Sequence, residues 1–326
     1  MTAENGHDGE NGVADSQDFL GEKSAATPAG AGAAAFPAWL DLSGRAKFRL
    51  TGPDRVRFLN GQVTNDVKKL QPGEACYALV CTHKGKLEAD VFIRAEEECF
   101  LLDAPGELRE PLWARLNKYL IADECEWEDV TDAFALWHEL GAPAPEPGQR
   151  DGGIERLGVP GRDVWLPADK AAAGVPASGF LSEAEIECLR VERAVPRWGA
   201  ELTPDTLPQE ACLEGRAVDF YKGCYIGQEV VSRLKSVGRV NRLLRALEAV
   251  EEAESGALRA GDRLFAGDDL AETGWITSAV WHPRLRKTMA LGYVKRAFAD
   301  GTGLFQAGRE KNALSSRMKC RDSAPD

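Results

Sequence analysis

The 326-residue sequence contains only four histidines, and none of its eight cysteines belongs to a C-x-x-C pair. Zinc ribbons and zinc fingers need closely spaced ligands of this kind, so both classes are excluded. The sequence also lacks a Walker A loop, a G-x-S-x-G elbow and a G-x-G-x-x-G turn, the strongest signatures of P-loop NTPases, α/β-hydrolases and dinucleotide-binding domains. No apolar run reaches the roughly 20 residues that a membrane-spanning helix needs.

Basic charge is scarce as well, because 40 Lys and Arg face 52 Asp and Glu and leave a formal net charge of -12. Proteins that bind nucleic acid usually present a basic surface, so direct binding to nucleic acid is not expected. The first residues are polar and acidic, unlike a secretory signal or a transit peptide, and we expect a cytoplasmic protein with reduced, mostly buried thiols. Residues 1–36 contain little apolar surface and are predicted to form a disordered acidic tail.

The rest of the sequence mixes strand and helix patterns. Strands are predicted at residues 47–52, 76–82, 87–95 and 99–104, and helices at 53–67, 105–121 and 182–195. In the second helix four leucines form a stripe at i, i+4 spacing, and Trp113 is expected to join the core there. Ser182 and Glu185 form a capping box at the start of the third helix. From about residue 240 only short strands with Gly turns follow, which predicts a small β-barrel.

This order of elements is typical of the α+β class with a mainly antiparallel sheet. Polar Gly/Pro-rich segments suggest the boundaries between parts of the chain. We predict a tail, an N-terminal α+β subdomain, a second α+β subdomain, a C-terminal β-barrel and a loose end, at residues 1–36, 37–140, 141–238, 239–315 and 316–326.

The most informative stretch is DFYKGCYIGQEVVSRLKSVGRVNR at residues 219–242, which is basic inside an acidic protein. The basic run is either a solvated face or an anion site. Gly223 permits a tight turn of the backbone. A helix is predicted to begin near Gly227. A thiol beside a cation and near a helix N-terminus favours the thiolate form, so Cys224 and Lys222 are the candidate catalytic residues. A purely structural cysteine is the alternative.

The segment KGCYIGQE (222–229) resembles the signature of the YgfZ family, the folate-binding relatives of the glycine-cleavage aminomethyltransferase, or T-protein. LTGPDRVRFLNGQVTNDV (50–67), CYALVCTHKGKLEADVFI (76–93) and LRVERAVPRWGAEL (189–202) resemble further segments of the same superfamily. The resemblance implies a disc of three subdomains around a central folate channel, with a β-barrel at the C-terminal end.

The resemblance also implies a cofactor, tetrahydrofolate, whose cellular polyglutamate tail is anionic. Glu192 matches the T-protein glutamate that holds the pterin; a surface Glu paired with Arg190 or Arg193 is the alternative. The other residues that the resemblance places at the cofactor are Asp90, Asn65, Tyr225, Gly227, Gln228, Arg233 and Arg239. Neither the spacing of the histidines nor the resemblance implies a metal site.

One departure from the T-protein pattern bears on the reaction. T-proteins carry Gly-Gly-x-x-Asp-Asp in the hairpin, whereas here Ala89 stands in place of the first acid and Asp90 is retained. A missing carboxylate weakens the case for methylene transfer, because charge that develops in the reaction needs a positioned anion. The departure and Cys224 both favour the YgfZ branch.

The YgfZ branch is linked to the assembly and repair of iron–sulfur proteins and, indirectly, to tRNA modification. We therefore expect a monomeric, folate-binding accessory protein whose partners are the iron–sulfur assembly machinery or its client proteins, without membrane contact. In this interpretation Lys222 tunes the charge of Cys224. Two alternatives stay open: a folate-dependent aminomethyltransferase of the T-protein type, and a non-catalytic folate-binding scaffold.

Overall fold

The structure is a computed structural model, and it describes residues 36–142, 153–174, 178–251, 258–267, 269–299, 304–311 and 314–321. The predicted acidic tail lies outside the described residues, apart from Phe36. The described strands are β1 (Ala38–Asp41), β2 (Ala46–Thr51), β3 (Ala75–Cys81), β4 (Leu87–Ala95), β5 (Cys99–Ala104), β6 (Glu126–Asp129), β7 (Phe134–Leu140), β8 (Gly153–Arg156), β9 (Val159–Pro167), β10 (Arg242–Ala249), β11 (Arg263–Ala266), β12 (Ala271–His282), β13 (Lys287–Lys295), β14 (Leu304–Gly308) and β15 (Leu314–Cys320). The described α-helices are α1 (Arg55–Gln62), α2 (Arg109–Asn117), α3 (Ala168–Gly174), α4 (Glu183–Glu192), α5 (Glu214–Ala217), α6 (Gln228–Ser236) and α7 (Arg296–Ala299).

The first sheet is antiparallel, with strand order β3-β4-β5-β2-β6. Apolar side chains from one of its faces pack with α1 and α2 into the largest hydrophobic cluster. A register shift between Val80 and Cys81 interrupts the β3–β4 pairing. After this bulge Ala89 joins the cluster under the helices, whereas Asp90 and Phe92 interact with Tyr77 of β3 on the other face. We call this second face the inner face of the first sheet.

The strands and helices predicted for this part of the chain are confirmed, with shorter helices than expected. Helix α1 ends at Gln62, and α2 spans Arg109–Asn117. The leucine stripe of α2 is buried, but Trp113 is 40% exposed, so its predicted place in the core is wrong. Trp113 follows Leu112 directly, and one residue turns a helix by about 100°, which carries the side chain off the buried stripe.

The second sheet has the order β1-β7-β9-β8, so the first described strand pairs with a strand almost 100 residues later in the chain. Helix α4 begins with the predicted capping box, in which the Ser182 hydroxyl accepts from the Glu185 backbone N–H while the Glu185 carboxylate accepts from the Ser182 N–H. Most of the loop predicted at 141–153 lies outside the described residues. The break predicted at 168–179 contains the short helix α3.

The C-terminal part is a closed barrel with strand order β10-β13-β12-β11-β14-β15, filled by its own apolar cluster. The predicted α+β class and the predicted C-terminal barrel are both confirmed. The loose end predicted from residue 316 is wrong as far as Cys320, because β15 pairs with both β10 and β14 and closes the barrel. A closed barrel leaves no strand edge unpaired. The segment is polar, but pairing on both of its sides holds it as a strand.

Candidate functional site

The segment KGCYIGQE is held to the loop after α1 by its lysine. The Lys222 ammonium donates to the backbone oxygens of Asn60, Val63 and Asn65 at 2.7, 2.6 and 2.7 Å. Lys222 is only 7% exposed, so these three carbonyls replace the water that the ammonium loses on burial. Hydrogen bonds to a charged group are about twice as strong as neutral ones, which makes this contact a firm anchor.

Further hydrogen bonds join the same two segments. The Ile226 N–H donates to the Gly61 oxygen at 3.2 Å, and the Asp219 N–H donates to the Thr64 oxygen at 3.1 Å. The Thr64 hydroxyl in turn donates to the Ala217 oxygen at 2.6 Å. The two segments with the strongest sequence patterns, 58–66 and 219–229, therefore form one rigid unit, which we call the latch.

Lys222 has a structural role that the sequence did not predict. Its ammonium is engaged by backbone carbonyls, and burial lowers the pKa of Lys222 to about 8, with Asp66 opposing the shift. Burial raises the pKa of the Cys76 thiol to about 12, and the charge of Lys222 opposes that rise. These contacts give Lys222 a positioning role in the latch, and its influence on Cys224 stays a prediction.

The latch leaves its cysteine on the surface. Cys224 and Gly223 are exposed, and Tyr221 just before them is 95% exposed. The next residue, Tyr225, is buried, and the Lys222 ammonium lies 5.1 Å from the centroid of its ring. Burial raises the pKa of Tyr225 well above its usual value, and its hydroxyl has no hydrogen-bond partner. In this segment the Cys224 thiol is therefore exposed, whereas the neutral Tyr225 phenol is buried.

Helix α6 begins where the sequence predicted, directly after Gly227. Gly227 has a φ of +90°, and a Cβ at this position would lie 2.5 Å from the Thr82 oxygen. The β3–β4 turn packs against the same helix, because a Cβ on Gly85 would lie 3.1 Å from the side chain of Val230. Gly227 therefore permits both the left-handed turn and the close approach of the hairpin to the start of α6. Gln228, also predicted at the cofactor, is the first residue of α6 and donates its N–H to the Tyr225 oxygen.

The inner face of the first sheet carries the predicted acid Asp90, which is 7% exposed. The Tyr77 hydroxyl donates to Asp90 Oδ2 at 3.2 Å, and the Tyr77 and Phe92 rings lie 4.7 Å apart. Asp90 Oδ1 has no hydrogen-bond partner, and burial raises the pKa of Asp90. The predicted residue Asn65 supports this face indirectly, because its side-chain amide donates to the Tyr77 backbone oxygen at 2.9 Å. The structure thus connects Asn65 and Asp90 through Tyr77.

A buried ion-pair network borders the same face, and the sequence analysis missed it. The Arg156 guanidinium lies 3.7 Å from the centroid of the Phe92 ring and binds Asp103 at 2.6 Å and Asp163 at 2.7 Å. Arg45 also binds Asp103. The network joins both sheets, and the two partners of a single ion pair are up to 58 positions apart. No local pattern marks such pairs, so only the tertiary structure reveals them.

Glu192 lies elsewhere, at the end of α4 against the barrel. Its carboxylate is 3.6 Å from Nε2 of the buried His282. His282 Nδ1 accepts the Leu285 N–H, so the proton resides on Nε2 and faces Glu192. Arg190, considered as a partner for Glu192, instead binds Glu187 and Glu201. The structure therefore holds Glu192 and Asp90 on different elements, one beside the barrel and the other on the first sheet.

The basic run at 219–242 is divided by the fold. Lys222 is buried in the latch, and Arg242 binds Glu210 at 3.0 Å. Arg233 and Arg239 are exposed at and after the end of α6. Lys235 is also exposed and lies 3.8 Å from the centroid of the Phe220 ring. The surface available to an anionic ligand is therefore the α6 end, not the whole run.

Within the described ranges, no group of three or more His, Cys, Asp or Glu side chains could hold a metal ion. All eight cysteines are free thiols, and only Cys212 and Cys224 are exposed. None of the helices in the described residues combines the length and apolarity needed to cross a membrane.

The fold and the sequence place the chain among known proteins. Residues 37–145 match the GCVT N-terminal domain, and residues 242–314 match the glycine cleavage T-protein C-terminal barrel domain. The chain is 30% identical over 293 residues to a protein of Geobacillus kaustophilus named aminomethyltransferase, covering 78% of each chain. A protein of the same name from Desulforamulus reducens is 27% identical over 311 residues, covering 84% of this chain and 81% of the relative.

A solved structure agrees with these matches. The glycine cleavage system aminomethyltransferase T of Bartonella henselae superposes with a TM-score of 0.75 at 21% identity, covering 87% of this chain and 84% of that one. The fold and these matches together define the class of the protein, a T-protein-like fold with a C-terminal barrel. The chain belongs to the glycine cleavage T-protein (GcvT) superfamily.

Proposed function

We propose that the chain binds a reduced folate, tetrahydrofolate, on the inner face of the first sheet. Two observations support this ligand besides membership of the superfamily. Asp90 Oδ1 and the Tyr225 hydroxyl are buried without hydrogen-bond partners. A buried carboxyl oxygen and a buried hydroxyl suit the donors and acceptors of a pterin ring.

The residues that would hold the folate divide into two groups. Asp90 would accept from the pterin, with Asn65 and Tyr77 fixing its orientation. The exposed Arg233 and Arg239 would attract the carboxylates of a polyglutamate tail, which is the role the sequence predicted for them. Glu192, Gly227 and Gln228 stay predictions; Gly227 and Gln228 build the start of α6, and Glu192 faces His282.

When bound, the folate supplies one-carbon carrier chemistry. The chain itself contributes orientation and the exclusion of water, because the groups around Asp90 are buried. Burial raises the pKa of Asp90, so this side chain can hold a proton at a higher pH than an ordinary aspartate. The latch fixes the position of Tyr225 relative to the hairpin that carries Asp90.

We further propose that the chain belongs to the YgfZ branch and acts as an accessory protein for the assembly or repair of iron–sulfur proteins, with indirect influence on tRNA modification. The observation that supports this best is the local structure of KGCYIGQE. Lys222 and Tyr225 are buried, while Cys224 between them is exposed. Because Lys222 anchors this loop, the Cys224 thiol is held at the surface, where it can contact another molecule and not the core. One thiolate is too few to hold a cluster, so the other molecule is a partner protein.

Folate-dependent aminomethyl transfer is the second candidate, and the names of the relatives favour it. The hairpin argues against it. Counted from Gly85, the two acid positions of Gly-Gly-x-x-Asp-Asp fall on Ala89 and Asp90. Glu88 binds Arg115 of α2 at 2.5 Å, and Ala89 is buried under the helices. The first acid is therefore missing, neighbouring Glu88 is engaged elsewhere, and only Asp90 of the pair is retained.

Two measurements test these proposals. Calorimetric titration with tetrahydrofolate is expected to show binding, with a steeper salt dependence for the polyglutamate form because its additional charges are screened. The absence of heat and of a thermal shift at millimolar ligand would refute folate binding. An assay of aminomethyl transfer to tetrahydrofolate from a lipoyl carrier separates the candidates: we expect no turnover, and turnover at rates typical of enzymes would favour the second candidate.

A further inference from the structure

One buried hydrogen-bond donor and one buried hydrogen-bond acceptor lie without partners near the inner face of the first sheet. Arg45 binds Asp103 through Nε, but its Nη2 has no hydrogen-bond partner. Asp90 binds Tyr77 through Oδ2, but its Oδ1 has none. Buried polar groups are nearly always hydrogen-bonded in native proteins, so an unpaired donor and an unpaired acceptor in one cluster point to a missing ligand.

Both residues belong to a cluster around the Phe92 ring. The Arg45 guanidinium lies 5.7 Å from the centroid of that ring, and the Tyr77 ring lies 4.7 Å from it. Tyr77 in turn contacts Asp90, as described above. The charge of Arg45 acts on Asp90 directly, because it opposes the burial that raises the pKa of Asp90. Arg45 and Asp90 therefore belong to one cluster, the first through the Phe92 ring and the second through Tyr77.

We propose that Arg45 and Asp90 together recognise the lactam edge of the pterin ring, with Arg45 donating to the ring carbonyl and Asp90 accepting from the adjacent ring N–H. The proposal rests on the proposed binding of a reduced folate. A lactam places an acceptor beside a donor, and the two unpaired protein atoms offer the complementary donor and acceptor. No sequence pattern assigned a role to Arg45.

The surroundings of Arg45 suit such recognition. Asp103 binds the Arg45 Nε and is itself held by Arg156 through two hydrogen bonds. The guanidinium is therefore fixed before a ligand arrives, which lowers the entropy lost on binding. A lysine at this position would keep the charge opposite Asp103 but would lack the second, fixed N–H donor.

The test uses tetrahydrofolate and its 4-amino analogue, in which an amino donor replaces the ring carbonyl acceptor. We expect the wild-type protein to bind tetrahydrofolate at least about tenfold more tightly than the analogue, because an unpaired buried donor penalises the wrong ligand. Arg45→Lys is expected to reduce this preference to less than about threefold. Arg49→Lys is the matched control, because Arg49 lies on the same sheet, pairs with Glu128, and should leave the preference unchanged.

The outcomes separate this proposal from the proposed function. If the wild-type protein binds neither ligand, folate binding itself is wrong. If it binds tetrahydrofolate and Arg45→Lys keeps the full preference, only the role of Arg45 is refuted. Asp90→Asn provides a second variant should Arg45→Lys fail to fold: it replaces an acceptor by a donor and is expected to shift the preference towards the 4-amino analogue, and an unchanged preference would overturn the proposal.

Discussion

Replacing Asp90 by Asn is expected to stabilise the protein at neutral pH while weakening folate binding. The carboxyl is 7% exposed, and one of its oxygens has no partner. An unsatisfied buried polar group costs about 1–3 kcal/mol, and more when it is charged. The amide of Asn keeps the acceptor for the Tyr77 hydroxyl, and its NH2 group is left as unpaired as Oδ1, but it carries no charge, so the extra cost of burying a charge, about 1 kcal/mol or more, should be recovered.

The pH dependence of this effect has a definite sign. Burial raises the pKa of Asp90 above that of the same carboxyl in the unfolded chain, so the folded protein keeps the proton to a higher pH. The contribution of Asp90 to stability is therefore present at low pH and is lost as the pH rises through the folded pKa. Each unit by which the pKa is raised corresponds to about 1.4 kcal/mol. The advantage of Asp90→Asn should be near zero at pH 4 and largest at pH 7–8.

Thermal and denaturant unfolding of both proteins between pH 4 and pH 8 measure this difference. Asp103→Asn is the control, because Asp103 is also buried but binds Arg45 and Arg156. Removing one partner of a buried ion pair costs about 3–5 kcal/mol, so this variant should be destabilised. The reasoning is refuted if Asp90→Asn is less stable than the wild type at pH 7–8, or if its advantage does not grow with pH.

Three further predictions concern the latch and the end of α6. Lys222→Met should lose about 3–5 kcal/mol of unfolding free energy in urea, because three buried carbonyls lose a charged donor; a loss below about 1 kcal/mol would contradict the latch. Gly227→Ala should lower the melting temperature, because its Cβ would meet the Thr82 oxygen and its φ is +90°; an unchanged melting temperature would show that the hairpin can move aside. Arg233→Gln with Arg239→Gln should weaken binding of polyglutamyl but not monoglutamyl tetrahydrofolate in calorimetry, and equal losses for both ligands would exclude a tail site.

The elements predicted well from the sequence are those with strong local patterns. The capping box of α4 depends on two residues three apart, and the barrel depends on short strands separated by turns. The start of α6 at Gly227 also follows from a local signal, since glycine permits the positive φ found there.

The incorrect or missing predictions involve residues far apart in the chain. Lys222 finds its carbonyl partners 157 to 162 positions earlier, and nothing near Lys222 indicates that its ammonium is buried. A charged residue near a cysteine suggests a role in tuning the thiol, whereas the burial of Lys222 and its backbone partners reveal a role in positioning the segment. The network of Arg45, Asp103 and Arg156 joins the two sheets and has no local pattern at all.

The measurement that tests the central claim most directly is rescue of iron–sulfur enzyme activity in a deletion strain. The account predicts that the wild-type chain restores activity, that Cys224→Ser folds and binds tetrahydrofolate but fails to restore it, and that Cys212→Ser rescues fully. Cys212 is the appropriate control because it is the other exposed cysteine among the described residues. Full rescue by Cys224→Ser would contradict the claim that the latch presents a functional thiol.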